Sequence, residues 1–502
     1  MKQTFTFASN LRLNALLCCS AAVLLAACGS GASDSGANQA ATAAMTGSVA
    51  TTTAPAAPAS AATTDAAEAN VDATTPNAAD TAAAQATPSA TAPAPANFDL
   101  SGYTSHPLEA AAEASTAQDA GAAAPAAPAA PVADAAGTGT HLLASVSTVT
   151  TPTTPYNYYV APTGSDSAAG TKAAPFKTLA RAAKAATRAG TTVWVAPGTY
   201  AGGIKTTASG TSSARIYWVS TTKWGAKIVP PASSTNNNAW DNRGSYVSIV
   251  GFDVDGTNSG GGTKWTHGIY TGGSYGMIAD NHIHHVAKSV TCTSAGGSAI
   301  GVDSYYHGVL TDVVSNVVND IGPAGCTYVQ GIYFSTSGTI KNNLVYRVGA
   351  VAIHLWHDAT NVKIVGNTVT SSTFGMVIGG GNFYYTSAGA DNVAVYNNIV
   401  YDNKYGISQQ GKTGVHNTYK NNLIYQNPSY NISLRNGLKA TGTVSSAPLL
   451  AGYSRTAATP NFHLTSSSPA IGRGISTYVY PVDLDGKPRN ATTGYDIGAY
   501  QH

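Results

Sequence analysis

The stretch Ala352–Asp358 reads Ala-Ile-His-Leu-Trp-His-Asp and places two imidazoles, an indole and a carboxylate within five residues. Ile353 and Leu355 alternate with His354 and Trp356, the period of a strand with one buried face. An outward histidine can move a proton near neutral pH, and an indole beside it offers a face on which a sugar ring stacks. His357 and Asp358 follow at once.

A rigid scaffold has to hold these side chains, and it is written in two recurring patterns. The first is Asn-x-(Ile/Val), at Asn281, Asn316, Asn343, Asn367, Asn398 and Asn422, with spacings of 35, 27, 24, 31 and 24 residues. The second is a short strand start, at Gly268-Ile269, Ala299-Ile300, Gly331-Ile332, Ala352-Ile353, Gly375-Met376, Gly406-Ile407 and Asn431-Ile432. Short β-branched strands at a period of roughly 20–50 residues predict a solenoid, and the lack of helical or leucine-rich spacing makes it a parallel β-helix. The asparagines are then expected to stack inside the turns and satisfy buried backbone groups.

Counting from each strand start predicts which side chains point outward. They are Tyr270; Gly301 and Asp303; Tyr333 and Ser335; His354 and Trp356; Val377 and Gly379; Ser408 and Gln410; Ser433 and Arg435. Tyr333, His354 and Trp356 on adjacent coils suggest a sugar-binding groove. Long turns at 287–298 and 322–330 are expected to wall it beside Asp303 and Tyr333, because function concentrates in loops raised on a rigid frame. The excursion at 379–391, with Phe383, Tyr384 and Tyr385, is the expected far wall. Cys292 and Cys326 fall one in each long turn about a coil apart, which in an oxidising compartment predicts a disulfide.

The chemistry such a groove suggests is β-elimination of a uronic-acid polymer. That reaction needs a base for the C5 proton, an acid for the leaving O4 and a group that neutralises the C6 carboxylate. His354 is the expected base and Tyr333 the expected acid, with the two roles exchangeable. Arg347 and Lys288 are the candidate cations, and Asp303 with Asp358 the candidate oxygen ligands for Ca2+, the one cofactor considered. Substrate contacts are expected from Trp356, Tyr270, His357, Gln410, Arg435 and Tyr384. Two other readings remain open. One is a hydrolase of the same fold using Asp303 and Asp358; the other is a non-catalytic glycan-binding protein. His282, His284 and His285 read as surface or ladder histidines, since a zinc site shared with His307 lacks glutamate or cysteine partners. Asp253 and Asp255 read as turn residues of an early coil.

The segment 1–27 has Lys2 and Arg12, an apolar run from Leu13 to Leu25, and then Leu-Ala-Ala-Cys ending at Cys28. This is a secretory signal with a lipidation site, and it predicts a lipid anchor at Cys28 in the outer membrane. Residues 28–155 are rich in Ala, Thr, Pro, Ser and Gly and hold ten acidic residues but no Lys or Arg, so a disordered tether is expected there. The remaining 156–502 carries 24 basic against 14 acidic residues, about +10, and none of its acids is glutamate. A basic secreted solenoid draws polyanions. With no arginine cluster or nucleic-acid motif, the expected partner of this monomer is an acidic polysaccharide.

The folded part opens with Tyr158-Tyr159-Val160-Ala161-Pro162-Thr163-Gly164-Ser165-Asp166, then Ala174-Pro175-Phe176-Lys177-Thr178-Leu179, a helix to about Ala189, and Val193-Trp194-Val195-Ala196-Pro197-Gly198-Thr199-Tyr200. It closes with Asp483-Leu484-Asp485-Gly486-Lys487-Pro488-Arg489 and Asp496-Ile497-Gly498-Ala499-Tyr500. The opening resembles the N-terminal cap of pectate-lyase-like right-handed β-helix proteins, notably polysaccharide lyase family nine. The resemblance implies a right-handed parallel β-helix over 156–502, capped by a helix within 156–200 and closed by 480–502. It does not carry over that family's active site. The clustered aspartates of its calcium site and its strand-face lysine are missing here, as are the Asn-Thr-Asp and Gly-His-Gly motifs of pectin hydrolases and the Asp-Pro-His of alginate epimerases.

Overall fold

The computed structural model describes residues 154–502 apart from 235, 259–261 and 263. The expected signal segment, Cys28 and nearly all of the expected tether lie outside them. The chain winds as a right-handed parallel β-helix with three strands per coil. One face is an eleven-stranded sheet from Tyr156–Val160 to Ala440–Thr441; two nine-stranded sheets make the others. The sheet running from Ile204–Thr206 through Val351–Leu355 to Tyr430–Ser433 is called here the groove sheet, and the one running from Gly198–Ala201 to Leu423–Tyr425 the third sheet.

The inward residues stack in register. Ile269, Ile300, Ile332, Ile353, Met376 and Ile407 form one such column, each essentially free of solvent. In the early coils the same positions hold larger rings: Trp240 pairs with Ile269, and Trp218 and Phe252 pack edge-on against it. At roughly 2–5 kcal/mol per buried Ile→Ala, these columns dominate the stability of the stack.

The asparagine ladder forms at the tight corner before the third sheet. Each amide nitrogen and side chain reaches the next asparagine, as when Asn343 N and Nδ2 both donate to Asn367 Oδ1 at 2.9 Å. The residue before each rung is left-handed: Asp280, Ser315, Asn342, Gly366, Asn397 and Asn421 have φ between 50° and 67°. Short polar side chains and glycine tolerate this conformation, which is why the corner keeps to them. A second ladder follows the third sheet, where Ser372 N donates to Asn403 Oδ1 and Asn403 N to Asn427 Oδ1, each at 3.0 Å.

Three expectations about the frame need correction. The helix spans only Leu179–Ala185, because the Thr178 hydroxyl accepts from Arg181 N and begins it, while Phe176 is held in a bridge to Val160. Asp253 and Asp255 lie on a strand of the third sheet rather than in a turn. The closing segment does not lid the last coil. It runs back outside the solenoid, with Ile497 packing on Ile399 and Leu423, Ala499 N donating to Thr368, and Leu484 packed with Val317 and Leu344. Half-buried Arg489 fixes it by donating to Asn342 Oδ1 at 2.6 Å and to Gly498 O at 2.9 Å.

Candidate functional site

Strand register sets the floor of the groove. The outward column through the middle of the groove sheet is Lys205, Asp241, Tyr270, Gly301, Tyr333, His354, Val377, Ser408 and Ser433, as alternation predicts from Tyr270 onward. Tyr333 and His354 are direct neighbours, their rings edge to face at 5.3 Å. Gly301 lets Ser298 and the Tyr270 ring close in beside Tyr333, since a Cβ there would come within 2.9 Å of Ser298 Oγ and 3.1 Å of the Tyr270 ring.

The two walls stand on opposite edges. The disulfide Cys292–Cys326 joins the long turns that lead into the groove strands, with Cα atoms 5.5 Å apart. Its wall therefore flanks the column His267, Ser298 and Gln330, not Asp303, which stands at the far edge. At that edge the 381–389 loop folds back over two coils to the turn Ser304–Tyr306: the Tyr385 hydroxyl donates to Tyr305 O, Tyr385 stacks on His307 at 4.1 Å, and Tyr384 meets Tyr305 edge-on at 5.4 Å.

Asp358 anchors that loop. Its buried carboxylate accepts from the amides of Tyr384 at 3.2 Å, Tyr385 at 3.3 Å and Thr386 at 3.1 Å, and from the Ser304 and Thr386 hydroxyls at 3.3 Å. Both oxygens are thus committed to loop donors. Asp303 accepts from the Tyr270 hydroxyl, from Tyr305 N at 3.0 Å and from Ser335 Oγ at 3.0 Å. Asp303 and Asp358 do not form a free carboxylate pair, so neither the Ca2+ arrangement nor the hydrolase arrangement finds its two ligands here.

The rings over the floor have defined polarity. His357 has φ 49°, rare outside glycine and asparagine-like residues. Its Nδ1 lies 2.8 Å from Asn382 O, which can only accept, so Nδ1 carries the proton; Nε2 then accepts from the Tyr384 hydroxyl at 2.9 Å. The His357 and Tyr384 rings stack at 4.2 Å, and Tyr333 meets His357 at 5.8 Å. His354 differs: its Nδ1 is shut away from solvent with no hydrogen-bond partner among the described residues. A bare nitrogen is the cheaper state for such an atom, which leaves Nε2–H as a donor toward the groove. Burial, with His357 adding to it, pushes His354 down to about 3, so it is neutral at ordinary pH. Burial pushes the Tyr333 hydroxyl far up, with Tyr384 and Asp303 adding; it pushes Tyr384 up to about 12, with Asp303 and Asp358 adding.

Trp356 lies along the sheet over Gly379, Gly381 and Gly411; a Cβ on any of them would come within 2.8 Å of its ring. Gln410 is held by Ser408 at 3.1 Å, and the exposed Arg435 donates to Gly411 O at 2.8 Å. Arg347 is not in the groove. It projects from the third sheet, forked onto Asp320 at 2.9 and 2.7 Å and donating to Ala457 O, so it neutralises a carboxylate of the protein itself. Lys288 is exposed at the start of the first long turn, where its charge acts on His285.

Sequence counting missed Arg243, Tyr306 and His267. Arg243 sits 2.7 Å from Asp241, with its guanidinium 3.7 Å above the Tyr306 ring and 4.7 Å from that of Tyr270. It escaped because its coil starts with Trp240, not an Ile-like residue. His267, pushed down to about 4 by burial against the opposing Asp303, shares the parity of the inward Ile269, so alternation alone would have turned it into the core; the ladder register skips Gly268. Phe374, Tyr405 and Tyr430, each two residues before a core position, likewise escape parity and line the groove's leading edge with ring centroids 4.4 and 5.0 Å apart.

Residues 158–311 match the family model of the Pel9A-like right-handed β-helix region. Among solved structures, the chain is similar to pectate lyase Pel9A, at 17% identity over 70% of this chain and 97% of that one, TM-score 0.38. It is similar to a rhamnogalacturonan lyase at 16% over 58% and 87%, TM-score 0.38, and to the Eubacterium ramulus lacto-N-biosidase at 13% over 54% and 56%, TM-score 0.38. No curated protein sequence matches the chain.

Proposed function

We propose that this chain is a polysaccharide lyase that cleaves a uronic-acid polymer by β-elimination in the groove. The observation that carries the reading is the knot of four rings, Tyr333, His354, His357 and Tyr384, on a floor walled from both edges. Elimination needs a proton acceptor and a proton donor, and imidazole with phenol supplies both. Hydrolysis needs two free carboxylates, and Asp358 is already spent on its loop.

The polarity of the two histidines divides the roles. A base works best with its pKa near the working pH, which counts against His354 as the proton acceptor. His357, with Nδ1–H held by Asn382 O, turns a bare Nε2 to the Tyr384 hydroxyl, so this pair takes the C5 proton, Tyr384 relaying it. Tyr333 keeps its proton far above neutral pH and delivers it to O4. His354 offers Nε2–H to the C6 carboxylate. Coils about 4.8 Å apart match the length of a sugar unit, so Arg243 and Lys205 on earlier coils and Arg435 on a later one meet neighbouring carboxylates of the same polymer. The same reading takes Cys28 as the lipid attachment that holds the enzyme at the outer membrane.

The test is to incubate the purified chain with a panel of uronans and follow the ultraviolet absorbance of the unsaturated uronide alongside new reducing ends. Elimination raises both together. His357→Ala and Tyr333→Phe are expected to lose about 10²–10⁴-fold in kcat, and His354→Gln to raise KM more than it lowers kcat. Reducing ends without the chromophore would make the protein a hydrolase, and saturable binding without turnover a glycan-binding protein.

A further inference from the structure

A second cluster of titratable groups lies on the outer face of the third sheet, apart from the groove. Strand register places Lys227, Asp253 and His282 in one outward column and Asp255, His284 and Asn319 in the next. Asp253 Oδ1 is 3.1 Å from His282 Nδ1 and 3.0 Å from His284 Nε2, and the three donor atoms lie within 4.8 Å of one another. The imidazoles are stacked at 4.4 Å, and the Trp224 ring lies 5.0 Å from that of His282.

The hydrogen-bond polarity around these rings needs an explanation. Asn319 Nδ2 donates to Asp320 Oδ2 at 2.7 Å, which turns Asn319 Oδ1 toward His282 Nε2 at 2.9 Å. His282 Nε2 must therefore carry a proton. Its other nitrogen faces the Asp253 oxygen, which also only accepts. The ring is either an imidazolium or a neutral imidazole aiming a bare Nδ1 into the cluster. His284 repeats the pattern: Nδ1 faces His285 Nδ1 at 2.6 Å and Asp255 Oδ1 at 3.6 Å, which leaves Nε2 directed at Asp253. An imidazole whose far N–H is held by a side-chain amide, as in His282, with the near nitrogen converging on a carboxylate, has the outer-shell arrangement of a metal ligand, and in His284 the neighbouring His285 ring occupies the far nitrogen instead.

We propose that Asp253, His282 and His284 bind a divalent transition-metal ion of the zinc class. Metal–ligand bonds of about 2.0–2.1 Å set tetrahedral donor–donor edges of about 3.3 Å, close to the two distances seen. Two imidazoles and a carboxylate, without thiolate, suit Zn2+ and its first-row neighbours over Ca2+. The other grouping, Asp255 with His284 and His285, fits less well, because its two imidazole nitrogens are closer than such an edge. Lys227 Nζ, 3.2 Å from both Asp253 Oδ2 and Asp255 Oδ2, supplies the positive charge that the ion replaces. Arg347 and Asp320 take part indirectly, since Asp320 orients Asn319 and Arg347 holds Asp320. His307 does not, for it stacks on Tyr385 at the groove edge.

The experiment is to strip the full chain with a chelator and titrate it with Co2+ alone, reading its visible ligand-field bands, then displace it with Zn2+. One Co2+ per chain is expected, with the bands of a low-coordinate nitrogen–oxygen site. His282→Ala and His284→Ala, checked as folded by circular dichroism, lose the bands, whereas His307→Ala keeps them. Asn319→Ala, which touches no ligand atom, weakens binding about 10–100-fold. Lys227→Met, which removes the competing ammonium, tightens it. No saturable binding by the wild-type chain would reduce the cluster to an ion-pair network closed by Lys227 and overturn the proposal. Undiminished binding in folded His282→Ala and His284→Ala would do the same.

Discussion

Asp358→Asn separates the stability of the groove wall from that of the solenoid. The carboxylate accepts from three consecutive backbone amides, Tyr384, Tyr385 and Thr386, and its remaining partners are the hydroxyls of Thr386 and Ser304. An asparagine keeps the volume but removes the charge and turns an NH2 toward some of these donors. Hydrogen bonds to a charged group contribute about 1.5–3 kcal/mol each, and the distances of 3.1–3.3 Å, long for charge-assisted bonds, put these nearer 1. The closed loop should therefore lose about 3 kcal/mol, a shift of about 10²-fold in its opening equilibrium. The coils themselves rest on ladders and core columns that Asp358 does not touch, so Tm should move by only a degree or two. Hydrogen exchange is the assay: the amides of residues 384–386 should exchange about 10²-fold faster and those of the asparagine ladder at their wild-type rate. Turnover should fall with the loop, because Tyr384 is carried on it. Unchanged protection at 384–386, or a collapse of Tm, would refute the assignment of Asp358 as loop anchor.

Asn343→Ala should cost about 3–5 kcal/mol in thermal or denaturant unfolding, because it takes the acceptor from Asn316 N and removes the Nδ2 bonds to Val313 O, Lys341 O and Asn367 Oδ1 at a fully buried corner; a loss under about 1 kcal/mol would contradict the ladder's role. Stability should also fall on acidification. His354 and His267 have folded-state values of about 3 and about 4, below the ordinary 6.5, so the unfolded chain takes up protons first. Their contribution is complete above about pH 6.5 and is lost as pH falls through 4 toward 3, on the order of a few kcal/mol together; His354→Gln should flatten that slope, and an unaltered slope would reject the assignment. Cys28→Ser should release the full-length protein from the membrane fraction, and a mutant that sediments like wild type would reject the lipid anchor.

The solenoid was legible because its two determinants are strictly local. A tight corner needs a left-handed residue followed by a buried amide, so Asp280-Asn281, Ser315-Asn316 and Asn397-Asn398 announce themselves in the coils from Asn281 to Asn422. Strand parity then fixes which side chains face out, and the columns through Tyr333 and His354 followed without knowledge of the turns. Parity also carries its own blind spot. Where a tryptophan replaced isoleucine at the core position, as at Trp240, the coil was not counted and Arg243 went unseen.

What sequence spacing could not deliver was the direction of hydrogen bonds and the path of the loops. Arg347 stands four residues after its ladder asparagine, as His285 and Asp320 do, all three at positive φ, yet a shared position in the repeat says nothing about a partner. Asp320 one coil earlier takes its guanidinium, and that pairing removes it from the groove while it fixes Asn319. Asp358 is similar: four residues after His354, it faces the amides of a loop that starts more than twenty residues later. Likewise His354 and His357 are indistinguishable as letters. Only the acceptor at Asn382 O, and the absence of one at His354 Nδ1, separates a histidine that presents a lone pair from one that presents a proton. A groove of this kind takes its position from the repeat, while its chemistry comes from long-range partners that break the repeat, and those are the residues on which sequence and structure disagree.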